Sequence, residues 1–257
     1  MKSPSANQPG YPQIAVVTVC RNALEDLKVT VASVRAQLYP ALMHVVVDGA
    51  SSDGTPEFLR AHAGCFHALL SESDAGIYDA MNKAISLCPH ADWVVFLNAG
   101  DAFAAPGVLA DAASLLKPDI DLVFGSVIIR STNGRRRVVA ARPGARTGMP
   151  GCHQSSLVRG DLMRRLRFDP TYAVGADFDF FLRATRSARR LAFHPGVIAE
   201  VAPEGFSAAN EDLLQRDYTR TIERHLGRPN AVWWLCKRKV RLALLRGRDL
   251  LRRIGIP

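Results

Sequence analysis

The stretch Ser71–Asp101, SESDAGIYDAMNKAISLCPHADWVVFLNAGD, decides how the chain is read. From Ile77 to Cys88 it sets Ile77, Ala80, Met81, Ala84, Ile85 and Cys88 at the spacing of one helical face, with Asp79, Asn82, Lys83 and Ser86 on the other. That is the pattern of a helix lying on a one-sided core. Ser73 and Asp74 precede it, where a side-chain oxygen serves free backbone N–H groups, and Gly76 permits a sharp turn. Trp93–Leu97 is a short unbroken apolar run, as for a strand covered on both faces, and it stops at Asn98-Ala99-Gly100-Asp101. In open α/β sheets ligands occupy the crevice beyond the carboxyl ends of the strands, so Asp101 is presented where a substrate would sit.

The same alternation extends upstream. Ile14–Val19 is a β-branched run ending in Cys20-Arg21-Asn22, and Leu27, Val31 and Val34 recur at helical spacing within Leu24–Gln37. His44–Val47 reads as a second buried strand that stops at Asp48-Gly49-Ala50-Ser51-Ser52-Asp53-Gly54, with Thr55 as cap and Pro56 in the first turn of a second helix. Phe66–Leu70 is a third strand. Downstream, a helix is predicted over Gly107–Leu116, and Leu122–Arg130 and Arg137–Ala141 flank Asn133-Gly134, a hairpin signal. Pro143–His153 reads as a loop over the site, Leu157–Leu166 is ambiguous, Asp177–Ala188 is a helix, Leu191–Val201 a strand interrupted near Pro195-Gly196, and Ala209–Leu226 a closing helix. The fold class predicted is α/β, a mostly parallel central sheet flanked by helices.

With 257 residues and 48% hydrophobic content the chain has enough for a sizeable core, which excludes wholesale disorder. Five scattered cysteines, without a C-x-x-C pair, favour a reducing compartment and argue against structural zinc. Residues 1–12 read as a flexible tail without an apolar signal or anchor, and no apolar run approaches the ~20 residues that span a bilayer. The net charge of +9 calls for an anionic partner. Most of the excess sits in 228–257, where Lys237, Arg238, Lys239, Arg241, Arg246, Arg248, Arg252 and Arg253 face a single acid, Asp249. These cations interleave with Trp233, Trp234, Leu235, Val240, Leu244, Leu245, Leu251 and Ile254, the composition of a basic amphipathic helix lying on an anionic membrane surface through 233–254. A domain-packing helix with a solvated basic face is the alternative. No nucleic-acid-binding module is recognisable.

Three segments together carry a family resemblance: Val47-Asp48-Gly49 with Ser52-Asp53-Gly54-Thr55, then Ser73-Asp74-Ala75-Gly76-Ile77-Tyr78-Asp79-Ala80-Met81-Asn82-Lys83, then Leu97-Asn98-Ala99-Gly100-Asp101. His153-Gln154, Gly175-Ala176-Asp177-Phe178-Asp179-Phe180-Phe181-Leu182-Arg183 and Gly205-Phe206-Ser207 extend it. The ordered set resembles the inverting, GT-A-fold glycosyltransferases of family 2, of the bacterial polysaccharide-assembly type, and implies a GT-A domain over 13–227.

By this resemblance Asp48 is the acid that meets the nucleobase, Asp74 a second nucleotide contact, and Asn98 part of the donor site. Asp101 is the ligand of a Mg2+ or Mn2+ ion, at the last position of an Asp-x-Asp-like turn whose earlier acids are absent here. A lone carboxylate fits an ion held largely by phosphates and water. Asp177 matches the catalytic base, with Ala176 where the family often has Glu, and His153 and Gln154 would orient acceptor or diphosphate. The resemblance implies transfer of a sugar from a UDP, GDP or dTDP donor to a hydroxyl of a glycan or lipid-linked acceptor, on the cytoplasmic face of the cell membrane.

Each residue also has a structural reading. Asp48 and Asp53 form a turn, Asp74 caps a helix, and Asp177 and Asp179 favour a helix N-terminus. His153 is a satisfied structural histidine, and Asn82 and Lys83 are a solvated helix face. Two other functions compete: a nucleotidyl- or phosphoryl-handling enzyme on a similar sheet, against which the absence of G-x-x-x-x-G-K-[ST] and G-x-G-x-x-G counts, and a non-catalytic, membrane-docked scaffold that keeps the nucleotide pocket.

Overall fold

Apolar runs with no polar face form strands only where both sides are covered, and the first half of the chain does this four times. In the computed structural model, which describes residues 10–143, 149–202 and 210–236, β1 (Ile14–Cys20), β2 (Leu42–Asp48), β3 (Ala68–Ser71) and β4 (Trp93–Phe96) run parallel in the order β3-β2-β1-β4. The crossovers are α1 (Leu24–Arg35), α2 (Thr55–Ala61) and α3 (Ile77–Leu87). All seven residues of β1 and all four of β4 are buried, each large apolar side chain contributing roughly 1.5–3 kcal/mol.

The sheet continues in mixed sense. After β5 (Ala102–Phe103) and α4 (Val108–Ala113), β6 (Leu122–Arg130) and β7 (Arg136–Val139) make the hairpin that Asn133-Gly134 signalled. β8 (Ser156–Arg159) lies antiparallel between β4 and β6, and β9 (Leu191–Val201) lies parallel to β6 with a register shift opposite Phe124–Ser126. The full order is β3-β2-β1-β4-β8-β6-β9-β5, with β7 paired to the later residues of β6, Val127–Arg130. One face carries α3 together with α5 (Gly160–Leu166) and α6 (Ala176–Ser187), through Met81, Ile85, Met163, Phe180 and Phe181. The other face carries α1, α2 and α4 through Val34, Leu27, Leu59 and Leu109. α7 (Glu211–Leu226) packs on α6, and a helical stretch 228–236 follows, seating Ala231 and Trp234 against Phe178, Ile222 and Tyr218.

Several expectations shift. The third strand begins at Ala68, two residues after Phe66, whose ring instead packs edge-on to His44. Thr55 is the first helical residue rather than the cap: Gly54 holds the cap position, and Asp53 Oδ1 accepts the Thr55 N–H at 3.1 Å. The ambiguous Leu157–Leu166 divides into β8 and α5: the N–H groups of Arg159 and Gly160 make the last ladder bonds, to Asp121 O and Asp92 O beside β6 and β4, and the helix starts at Gly160. Asp121 then ties β6, β8 and β9 together through Arg159 and Arg189. The 1–9 tail, part of the 143–153 loop, Gly205-Phe206-Ser207 and 237–257 lie outside the described residues. Among the described residues the five cysteines are free, and no helix is long and apolar enough to cross a membrane.

His44 exposes a cost in this core. Its Nε2 lies 3.0 Å from the Thr18 hydroxyl, which donates onward to Leu97 O at 2.9 Å, so Nε2 carries the proton. Its Nδ1 is buried without a partner among the described residues. Burial pushes the imidazole pKa from 6.5 down to about 3. The unfolded chain therefore binds a proton that the folded chain refuses between those values, and stability falls as pH is lowered through that window, by at most roughly 1.4 kcal/mol per pH unit. Urea unfolding followed from about pH 7 to about pH 5 is expected to show this loss, and His44→Gln to remove that part of the slope. An unchanged slope in the variant contradicts the assignment.

Candidate active site

The carboxyl ends of β1, β2 and β4 bring three polar loops to one edge of the sheet. Asp48, the last residue of β2, is fully buried. Its Oδ2 accepts from Ser71 Oγ at 2.6 Å and from the Ser51 N–H at 3.2 Å, and its Oδ1 accepts from Ser51 Oγ. The neighbouring loops lock to each other: Ser52 N–H to Asn22 Oδ1 at 2.8 Å, Asn22 N–H to Ser51 Oγ at 2.7 Å, and Leu24 N–H to Asp53 Oδ2 at 3.1 Å. Asp53 is thus a turn residue. Beside Asp48, burial and the acid's charge push the Cys20 thiol up to about 12, which keeps it protonated.

Asp74 comes to the same place from the β3–α3 loop. Its Oδ1 accepts the Gly76 N–H at 2.9 Å, ahead of the helix rather than within its first turn. Its Oδ2 lies so close to Gly49 that a Cβ there would stand 2.3 Å away. Only glycine at 49 lets Asp74 cross the end of β2. Lys83, on the polar face of α3, holds this loop: its Nζ reaches Glu72 at 2.8 Å, Ser73 O at 2.7 Å and Asp79 at 3.4 Å. Asn82 likewise works as a tie, its amide bonding both Phe168 O and Phe168 N–H.

The turn after β4 hangs on a buried hydroxyl from α1. Thr30 Oγ1 donates to Asp101 O at 2.7 Å, has Asn98 O at 3.1 Å and accepts the Gly100 N–H at 3.0 Å. Gly100 takes φ +93, a left-handed conformation that side-chain-bearing residues avoid. Asp101 is nearly fully buried, with Oδ1 accepting the Ala202 N–H at 2.9 Å and Oδ2 accepting Gln154 Nε2 at 3.2 Å. Burial pushes its carboxyl pKa up, while the Ala202 N–H, His153, Gln154 and Arg130 pull it back. Arg130, at the end of β6, donates from Nη2 to Gly100 O at 3.0 Å.

His153 joins this turn to α6. Its Nδ1 lies 3.2 Å from Asp177 Oδ2 and its Nε2 lies 3.4 Å from Asn98 Nδ2. A neutral ring satisfies both, with the proton on Nδ1 donated to the carboxylate and Nε2 accepting from the amide. The backbone entering α6 is gripped from two sides: Asp217 of α7 accepts the N–H groups of Val174 and Gly175 at 2.8 and 3.1 Å, and the Tyr78 hydroxyl of α3 donates to Val174 O. Asp177 Oδ1 accepts its neighbour's Phe178 N–H at 2.8 Å, so the helix-start reading holds in part. Asp179 faces away and is consumed by Arg183 and His225, each at 2.7 Å.

The structure therefore gathers Asn98, His153 and Asp177 in one bonded group beside the bonded pair Gln154 and Asp101, with Asp48 and Asp74 at the end of β2. Among the described residues no three His, Cys, Asp or Glu side chains form a metal cluster, which leaves Asp101 as a single-carboxylate candidate. Burial raises its pKa more than its neighbours lower it, and a divalent cation held there would offset the cost of keeping that carboxylate charged. Thr30, Lys83, Arg130 and Asp217 escaped sequence reading. Each acts through a partner more than one helical turn away in the chain, and only Lys83 lay within a motif.

Comparison with known proteins gives the family and the fold. The sequence model described as "Glycosyl transferase family 2" matches residues 15–184. An uncharacterized glycosyltransferase of Mycobacterium tuberculosis is 35% identical over 184 residues, 67% of this chain and 69% of its own length. The PGL/p-HBAD biosynthesis glycosyltransferase of the same organism is 30% identical over 218 residues, 82% of this chain and 84% of its own. Among solved structures, a mannosyltransferase from Pyrobaculum calidifontis in complex with GDP-Man and Mn2+ superposes with TM-score 0.67 at 20% identity, covering 98% of this chain and 84% of that one. The fold is that of the GT-A glycosyltransferases.

Thr30→Val keeps the volume and removes the hydroxyl that Asp101 O accepts from, while the Gly100 N–H keeps Asp26 O at 3.1 Å and Asn98 O keeps the Asp101 N–H at 3.0 Å. A loss of about 1–3 kcal/mol in urea unfolding is expected. Thr30→Ser, which restores the hydroxyl, is expected to recover most of it, and equal losses in both variants would point to packing instead.

Proposed function

We propose an inverting sugar transfer for this chain, which belongs to glycosyl transferase family 2. In this reading a nucleotide-diphosphate sugar binds along the ends of β2 and β4, and a hydroxyl of a glycan or lipid-linked acceptor attacks its anomeric carbon from the face opposite the departing diphosphate. The observation that carries the proposal is the bonded group Asn98–His153–Asp177 beside Gln154–Asp101, which joins residues from β4, the loop before β8 and α6.

Asp177 is the base. It takes the acceptor proton as the new bond forms, and the His153 Nδ1–H holds one of its oxygens while lone pairs remain on both. Asp74 is the acid best placed for the nucleoside, since its Oδ2 stands over Gly49 whereas both Asp48 oxygens are already taken by Ser51 and Ser71. Asp48 in this reading sets the shape of the donor site, and Asn98 lines it. Asp101 would hold Mg2+ or Mn2+, as the cost of its buried charge suggests, and the ion when bound offsets the negative charge of the diphosphate. The complex of the Pyrobaculum neighbour with GDP-Man and Mn2+ supports a nucleotide sugar and a divalent ion here. The mycobacterial relative's part in PGL/p-HBAD biosynthesis supports a glycolipid or surface-glycan acceptor.

Peripheral attachment to the inner membrane face belongs to the same reading. Val232 and Trp233 are 59% and 52% exposed on the helical stretch 228–236, while Ala231 and Trp234 pack inward.

Incubation with membranes and a panel of radiolabelled nucleotide sugars tests the proposal. Asp177→Asn is expected to lower kcat by roughly 10²–10⁴ while nucleoside diphosphate binding persists. Asp74→Asn and Gly49→Ala, which pushes Asp74 aside, are each expected to weaken that binding by about ten-fold. Chelator should abolish transfer, and millimolar Mn2+ should raise the melting temperature of the wild type but not of Asp101→Asn. Nucleotide binding without transfer from any donor would favour the scaffold. For membrane attachment the informative truncation falls after Cys236, which keeps the packed turns and removes the basic residues from Lys237 onward. Release from anionic vesicles is expected, and undiminished co-sedimentation would remove the anchoring idea.

A further inference from the structure

Five arginines and no acid lie between Leu122 and Pro143. Two of them, Arg130 and Arg136, are direct cross-strand partners on β6 and β7. Like charges so placed destabilise an antiparallel pair unless something negative lies between or beside them. The hairpin end forms a cleft of about 340 Å³ lined by Arg130, Ser131, Thr132, Gly134, Arg136 and Glu200. Glu200 is the one acid of that wall, and it is paired with Arg136. Arg130 spends Nη2 on Gly100 O, yet its Nε is buried and has no partner among the described residues. The cleft therefore brings together two guanidinium side chains, two hydroxyl-bearing side chains and a glycine around a single acid, with the unpartnered Arg130 Nε buried behind its wall. It stands one residue away from Asp101.

We propose that this cleft is a phosphate subsite. A phosphate presents several acceptor oxygens to a forked guanidinium, a match that a neutral sugar lacks. The inference rests on the glycosyl-transfer reading for its ligands, which have two sources: the diphosphate of the nucleotide donor, or a phosphate carried by a lipid-linked acceptor.

Equilibrium binding to the full chain separates these. The probes are UDP and GDP against uridine and guanosine, and citronellyl phosphate against citronellol, each with wild type, Arg136→Gln and Arg136→Lys. Arg136 is exposed and its loss leaves the core intact, and melting temperature checks this. Arg136→Gln is expected to weaken a phosphate-bearing probe by roughly ten-fold, with its phosphate-free counterpart unchanged and Arg136→Lys recovering part of the loss. A loss confined to UDP or GDP assigns the cleft to the donor, and one confined to citronellyl phosphate assigns it to the acceptor. Arg130→Gln should repeat the pattern. If neither phosphate probe changes while UDP or GDP still binds, the subsite is refuted and the glycosyl-transfer reading stands. If wild type binds no nucleoside diphosphate but binds citronellyl phosphate in an Arg136-dependent way, the subsite stands and the donor reading fails.

Discussion

A single buried hydroxyl, that of Thr30, fixes the turn on which the site depends. It reaches Asp101 O, Asn98 O and the Gly100 N–H at once, so the end of β4 is set from α1, the first helix of the chain. From that turn the constraint passes outward by side chains. Gln154 donates to Asp101, Asn98 donates to His153, and His153 holds Asp177. A shift of the turn would therefore be felt at α6, although Asp101 and Asp177 lie far apart in sequence.

The carboxylates at this edge look alike in sequence and differ in how fully the protein satisfies them. Asp48 is saturated by two serines, Asp53 by backbone N–H groups, and Asp179 by an arginine and a histidine. A buried acid so engaged has little left for a ligand and is best read as architecture. Asp101 has one donor on each oxygen, and Asp177 has only an imidazole and one N–H. In the proposed reading these two serve the metal and the acceptor proton.

Sequence patterns carried the strands β1, β2 and β4, the periodic helices α3 and α6, and the hairpin between β6 and β7, because each is decided within a few residues. The four-residue β8 and the seven-residue α5 were not separable, since what makes Ser156–Arg159 a strand is its pairing with β4 and β6, which come from other parts of the chain. The same limit governs the site. Asp74 reads locally as a cap; the family resemblance implied a nucleotide contact, and its approach to Gly49, 25 positions earlier, has no local signal in the sequence. Asp177 and Asp179 are two apart at a helix start, and nothing local tells which one meets His153 and which meets His225. Lys83 looked like solvated surface because Glu72 and Ser73 lie outside its helix.

The family match ends at residue 184, yet the geometry of Asp177 does not. Asp217 of α7 accepts the two N–H groups that enter α6, His225 fills Asp179, and Tyr218 stacks on Phe178 with ring centroids 4.5 Å apart. Trp234 then covers Tyr218 from the following helical stretch. The helices beyond the matched region thus hold the proposed base in position from behind, while α3 holds it from the front through Tyr78. An attachment surface beginning at Trp233 would be continuous with this support, so contact with a membrane and the placement of Asp177 would share one mechanical element.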